Sequence, residues 1–219
     1  MKYLQTYFLL IVTILPLLGC QKSNKLNTQI ENKSYINNFE LLQENPNNQT
    51  SVKITSPKAI IHPTNNDIEI FDSSIQITNK NGQDFQVKSG NSTLNNLSNF
   101  IRVYNNVNIS FLDNEDYYIN TNAIGWDLNT SVINMKNLLN ISFDSSKIIA
   151  SNGTYNIESN LLKLDNTQFN KHIYNSDGHQ VSQVEIKSEF AKWFKNENTL
   201  VFTSNDKQVE TTIKFLLTE

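Results

Sequence analysis

Three histidines, one cysteine and a knot of carboxylates are the residues that chemistry would recruit first from this chain of 219 residues. His62, His172 and His179 show no metal-ligand spacing with one another or with Cys20, and they read as surface groups. Asp113, Glu115 and Asp116 fall together in FLDNEDYY, where a glycosidase would need one carboxyl kept protonated beside an ionised partner. Nothing flanking them points to burial, so a solvated loop is the expectation. The six glycines are scattered and no G-x-x-x-x-G-K-[ST] string exists, so no phosphate-cradling loop is expected. A formal charge of −3 supplies no basic field for nucleic acid. Neither catalysis nor a cofactor nor a metal is expected.

The elements that hold these residues begin with an export signal. Lys2 precedes an uncharged run from Tyr7 to Leu18 that is broken by Pro16 and closes on Leu17-Leu18-Gly19-Cys20. A membrane span needs about 20 apolar residues, so a cleaved signal is the better reading. LLGC resembles the lipobox of bacterial lipoproteins, which makes Cys20 the lipidated first residue of the mature chain. Residues 1–20 are then the signal. Residues 21–34 are polar and aperiodic and read as a flexible tether, and a folded domain spans 35–219. With no second cysteine, stability must come from packing.

Within that domain the chain repeats itself at a period of roughly 30 to 37 residues, from near Val52, Phe85, Tyr117, Lys147 and Val184. The copies read KITS, QVKS, YINT, IIAS and EIKS, with an aliphatic at Ile54, Val87, Ile119, Ile149 and Ile186. A hydroxyl follows two residues later at Ser56, Ser89, Thr121, Ser151 and Ser188. Further along each unit stand Ile68/Ile70, Ile101/Val103, Ile133/Met135, Leu162/Leu164 and Leu200/Phe202. A spacing of two belongs to strands. PTNND, LNNLSN, DLNTS, IESN and KNEN separate them, and Asn suits such turns because it tolerates positive φ. FAKWF at 190–194 has a weak helical pattern, but its place in the repeat argues for strand. Trp126 and Trp193 fall at strand positions, as core or rim. An all-β protein of short antiparallel strands follows, and periodicity alone leaves sandwich, jelly roll and solenoid open.

The segment from Tyr35, YINNFELLQENPNNQTSVKITSPKAIIHPTNNDIEIFDSSIQI, with repeats ending NNVNIS and NLLNIS, resembles the LptC family of lipopolysaccharide-export proteins. The features that carry it are a first strand with Ile36, Phe39 and Leu41, a polar hairpin, and a return strand ending Ser56-Pro57-Lys58-Ala59. The related LptA-type bridge proteins share the repeat. The resemblance implies an open antiparallel β-jelly roll of two splayed sheets with lipid A acyl chains held between them. It also implies an inner-membrane LptB/LptF/LptG-type ABC transporter and an LptA-type bridge protein as partners, with the chain on the periplasmic side of the inner membrane. Many relatives keep a transmembrane helix where this chain has LLGC.

Carrying lipid through water needs no nucleophile, only a dry groove, because each exposed methylene costs about 0.8 kcal/mol. Its lining is expected at Val52, Ile54, Phe85, Val87, Tyr117, Ile119, Ile149, Val184 and Ile186, joined by Ile101, Val103, Ile133, Met135, Leu162 and Leu164. The last run, VETTIKFLL, alternates as an exposed edge strand would, so Val209, Thr211, Ile213 and Phe215 are expected to dock a partner's strand. The competing readings are an LptA-like bridge, a surface β-solenoid that binds carbohydrate, and, least favoured, a polysaccharide-cleaving β-helix. A sealed interior with polar clefts would favour sugar over lipid. The anchor has its own test: mass spectrometry of the mature protein should find acylated Cys20 at the amino terminus, and Cys20→Ser should leave the chain uncleaved. A mature terminus anywhere else removes the lipid anchor.

Overall fold

The computed structural model describes residues 33–45, 50–79, 84–112 and 114–216. Ten long strands follow the period-two pattern: β1 (Ser34–Asn45), β2 (Thr50–His62), β3 (Asp67–Thr78), β4 (Asp84–Asn95), β5 (Phe100–Phe111), β6 (Asn114–Asp127), β7 (Val132–Phe143), β8 (Ser146–Asn156), β9 (Leu161–Tyr174) and β10 (Gln180–Phe194). A 3-10 turn at Lys195–Glu197 leads into the short strands β11 (Thr199–Thr203) and β12 (Glu210–Phe215). FAKWF is strand, as its place in the repeat requires. Each strand pairs antiparallel with the next from β1 to β11, and β12 turns back to pair with β10. The result is one open twelve-stranded sheet, in agreement with the expected open β-jelly roll.

The asparagine turns behave as their chemistry predicts. Asn66, Asn99, Asn160 and Asn198, one in each of four turn clusters, take positive φ between 49° and 59°. In the DLNTS turn the Thr130 N–H instead donates to the Asp127 carbonyl at 2.9 Å.

A second set of irregularities lies in the middle of the strands. Asn38, Asp72, Asn105, Asn106, Asn137 and Asn166 have positive φ there, and the pairing register slips between Lys88/Asn91, Tyr104/Val107, Asn120/Ala123 and Lys136/Leu139. Such bulges bend a strand. Strung across the sheet, they fold it along one line. The proof is in the contacts: the Phe85 and Tyr155 rings, on strands four apart, stand 5.5 Å centroid to centroid. Along a flat sheet that separation would be about 19 Å at about 4.8 Å per strand. The sheet therefore closes on itself as two layers. One layer holds the first halves of the even strands and the second halves of the odd ones; the other layer holds the remainder.

Each repeat unit is thus one strand pair crossing both layers. The first aliphatic motif lies in one layer, the hydroxyl ends that layer at the bend, and the second apolar pair lies in the other layer. The hydroxyls do more than leave room, because they satisfy polar groups that bulges strip from the ladder. Ser73 Oγ lies 2.8 Å from Ser89 Oγ and 2.6 Å from Ser92 Oγ, Thr167 Oγ1 lies 2.6 Å from Ser188 Oγ, and Ser151 Oγ donates to the Asp165 carbonyl at 3.1 Å. Ser56 Oγ lies within hydrogen-bond reach of the Lys58 and Phe71 carbonyls, which share its one proton.

Between the layers the side chains are closely packed. Gly153 is where the fit leaves least space: an added Cβ would lie 3.0 Å from both Leu139 Cδ2 and Leu164 Cδ2, and 3.2 Å from the Lys163 carbonyl oxygen. Gly153→Val should therefore destabilise the fold by about 1–3 kcal/mol in a denaturant titration. An unchanged midpoint would show that the layers have slack there.

Candidate lipid-binding interior

The residues expected to line a groove sort cleanly by strand half. Val52, Ile54, Phe85, Val87 and Ile119 point inward from one layer, and Ile101, Val103, Ile133, Met135, Leu162 and Leu164 point inward from the other; all are buried. Tyr117 and Ile186 are half-buried and pack against the same core. Val184 shares the inward face of β10 and is half-buried. Ile149 does not belong. Ile148 and Ala150 hold the inward positions of β8, while Ile149 faces outward between Asn140 and Gln168. The alignment of IIAS on its serine placed it one residue out of register, and in a strand one residue reverses the face.

Alternation also contained a set that the repeat alignment passed over. Val107, Ile109 and Phe111 on β5 and Leu139, Ile141 and Phe143 on β7 complete the first layer, with Ile75 and Ile77 on β3. Leu94, Ile124, Trp126 and Tyr155 complete the second. The strings NVNISF and NLLNISF carry the same period-two signal as the motifs that were read.

The rims of the two layers, opposite the bend, meet along a seam. Two asparagines clasp it: Asn45 Nδ2 donates to the Leu128 carbonyl at 3.2 Å, and Asn79 Nδ2 to the Ile157 carbonyl at 3.3 Å. Aromatic rings continue the closure. Phe111 touches Tyr155 and Trp193 at 5.7 and 6.3 Å, and Trp193 stacks on Phe143 at 5.1 Å with Tyr117 edge-on at 5.5 Å. Phe143 passes the chain of rings to Phe169, and Phe169 to Phe202 at 5.5 Å. Lys195 Nζ sits 4.9 Å above Phe111 at this seam. The expected splay between layers is absent here because these rings fill the space.

The inward face is uncovered at the carboxy-terminal end. β10 splits its outer edge, pairing Phe190–Phe194 with β11 and Ser182–Lys187 with β12. Thr211, Ile213 and Phe215 continue the face of Ile186, Val184 and Ser182, and Ile213 and Phe215 are 53% and 78% exposed. Ile173, opposite Ser182, is 39% exposed, and Val209 is exposed just ahead of β12. Apolar groups with nothing over them, at a sheet edge, make a surface for another apolar or strand-forming molecule.

The described depressions are lined mostly by polar residues. One of about 550 Å3 is lined by Asp67, Thr93, Asn95, Phe100, Arg102 and Asp127, and one of about 280 Å3 by Asn166, Thr167, Lys187, Ser188 and Glu189 among others. No apolar cleft of the kind expected for a carrier is among these depressions; the uncovered apolar surface at the β10–β12 end is a row of exposed side chains, Ile173, Ile213 and Phe215. His62 is half-buried with Nε2 3.4 Å from Glu69 Oε2, His172 is half-buried with an unpartnered Nδ1, and His179 is exposed. Among the described residues no group of three or more His, Cys, Asp or Glu is placed to hold a metal. Asp113 and Cys20 lie outside the described residues, as do the signal segment and most of the tether. The backbone of Glu115 and Asp116 is in β6. Among the described residues no helix is long and apolar enough to cross a membrane.

A family model described as lipopolysaccharide-assembly, LptC-related, matches residues 7–168. The search of curated proteins returned no match.

Proposed function

The chain belongs to the LptC-related family of lipopolysaccharide-assembly proteins, and from that premise we propose that its two layers carry the acyl chains of lipopolysaccharide between them. It is a component of lipopolysaccharide transport and works with that machinery. In our reading it receives lipid from an inner-membrane ABC transporter on the periplasmic side. It then passes the lipid along the inner face of the folded sheet to a bridge protein. Cys20 anchors the mature chain to that membrane, and hydrolysis of ATP belongs to the partner.

The observation that carries this reading is the apolar inner face of both layers, interrupted at the bend by buried hydroxyls. It runs through every long strand and, at β9, β10 and β12, emerges uncovered as Ile173, Val184, Ile213 and Phe215. A fatty chain laid there gains the burial that water denies it, at about 0.8 kcal/mol per methylene. The same end leaves the outer edge of β12 without a strand partner among the described residues. A bridge protein adding its strand to β12 would satisfy those backbone groups and extend the face.

Photo-crosslinking tests the path. A photoreactive residue at buried Ile119 should capture labelled lipopolysaccharide during transport, whereas Asn120, on the opposite face of β6, should stay silent. Ile149 faces outward and should be silent with it. Capture at Asn120 or Ile149 equal to that at Ile119 would reject an interior path. Docking has a separate test. Removing residues 209–219 should abolish pull-down of the bridge protein, and full binding by the folded truncation would move the docking site elsewhere.

A further inference from the structure

The chain has two tryptophans, and both are buried to 1% exposure. Their indole N–H groups differ. Trp126 Nε1 donates to the Thr130 carbonyl at 2.9 Å. Trp193 Nε1 is buried with no acceptor among the described residues. Buried donors are nearly always paired, because an unpaired one loses its hydration and gains nothing. Phenylalanine would fill an aromatic position without that loss, and this seam already uses it at Phe111 and Phe143.

The position of Trp193 says what kind of acceptor would answer it. It is the penultimate residue of β10, at the rim of its layer, stacked on Phe143 and edge-on to Phe111 and Tyr117 across the seam. Its ring contacts across the seam are aromatic, with Phe111, Phe143 and the ring of Tyr117. An acceptor entering here must arrive attached to hydrocarbon. It must also sit near the end of that hydrocarbon, since the rim is where an inserted chain leaves the interior. A carbonyl that links an acyl chain to its head group has both properties. An alkyl ether has the hydrocarbon and only a poor acceptor.

Resting on the reading of the interior as an acyl-chain path, we infer that Trp193 is a ligand-binding residue whose indole N–H donates to the ester or amide carbonyl at the root of an acyl chain inserted through the seam. The proposal selects acyl lipids over alkyl lipids of the same length. It also gives the rings around Trp193 a role as the part of the seam that yields.

Paired surfactants test it, with the full mature chain: sucrose monolaurate, which has an ester carbonyl, and dodecyl maltoside, which has none. Two variants remove the donor. Trp193→Phe keeps an aromatic ring, and site-directed replacement by benzothienylalanine keeps the indole shape with sulfur in place of N–H. Each variant should bind the laurate ester roughly tenfold more weakly than the unaltered chain and dodecyl maltoside equally well. The thermal midpoint should hold or rise. In a Trp126→Phe background the remaining Trp193 fluorescence should shift with the ester and not with the maltoside. Equal loss for both surfactants would make Trp193 a packing residue, and no loss for either would leave the donor unused; each overturns the inference. If the benzothienylalanine variant alone folds, its ratio of the two affinities decides. Lipopolysaccharide binding by the unaltered chain separates the levels: if it is present while the variants match the unaltered chain on both surfactants, only the anchor fails. If the unaltered chain binds neither lipopolysaccharide nor surfactant, the acyl path falls and the anchor with it.

Discussion

The fold depends on the contact between two halves of one sheet. A sheet with one apolar face must cover that face, and this chain has no helix among its described residues to do so. It covers the face with itself. Every long strand is therefore required to turn a corner at about the same height, and the polar residues at mid-strand make that possible: asparagine and aspartate for positive φ, serine and threonine for the hydrogen bonds the corner exposes. Remove the corner and the apolar rows of both halves would face water. The asparagine-rich composition, which in isolation looks like a loop-forming bias, is the chemical cost of building a double layer from a single meander.

Much of this was legible in the residues. The turn clusters, the period of two and the inward aliphatics of each repeat place the strands and one face of each. The aliphatic at Ile119 and the hydroxyl at Thr121 even mark where a layer ends. The corner itself was not legible. A hydroxyl two residues after an aliphatic reads as one more inward position, and only the closed structure reveals that it satisfies backbone at a bend. Ile149 shows the limit of alignment by a small residue: Ser151 reaches the Asp165 carbonyl at the bend, while Ala150 takes the inward place. The seam was out of reach as well, because Phe85 meeting Tyr155, or Asn45 meeting Leu128, depends on which halves face each other and not on any local pattern.

The ends of the sheet differ in a way that suits a chain of handovers. β1 pairs only with β2, and its outer face mixes Glu40, bonded to Lys53 at 3.0 Å, with the exposed side chains of Tyr35 and Leu42. The other end carries apolar groups on its inner face and a split edge, β11 on one half of β10 and β12 on the other. A strand added at β1 would gain backbone hydrogen bonds and some cover for Tyr35 and Leu42. A strand added at β12 would gain such bonds and apolar cover for Ile213 and Phe215.

A closed interior and a lipid path are compatible if what the lipid displaces resembles what it supplies. Acyl chains entering the seam would exchange ring-on-ring contacts for chain-on-ring contacts, apolar for apolar, so little burial is lost on the protein side. The bonds from Asn45 to the Leu128 carbonyl and from Asn79 to the Ile157 carbonyl are neutral amide-to-carbonyl bonds, each with a net worth of about 1 kcal/mol. Against this stands the lipid's own gain on leaving water, which grows with every methylene. On the proposed path, that balance would favour opening when a chain is present and closing when it departs. A carrier in a relay needs that property more than it needs tight binding, because a lipid held in a permanently open, fitted groove would have to be pulled out again at the next step. Aromatic rings that fill the space in the empty state prevent water from entering it and keep the two layers from exposing their faces to other chains. If the proposed path holds, the packed core is the resting form of the groove, with the same side chains serving both.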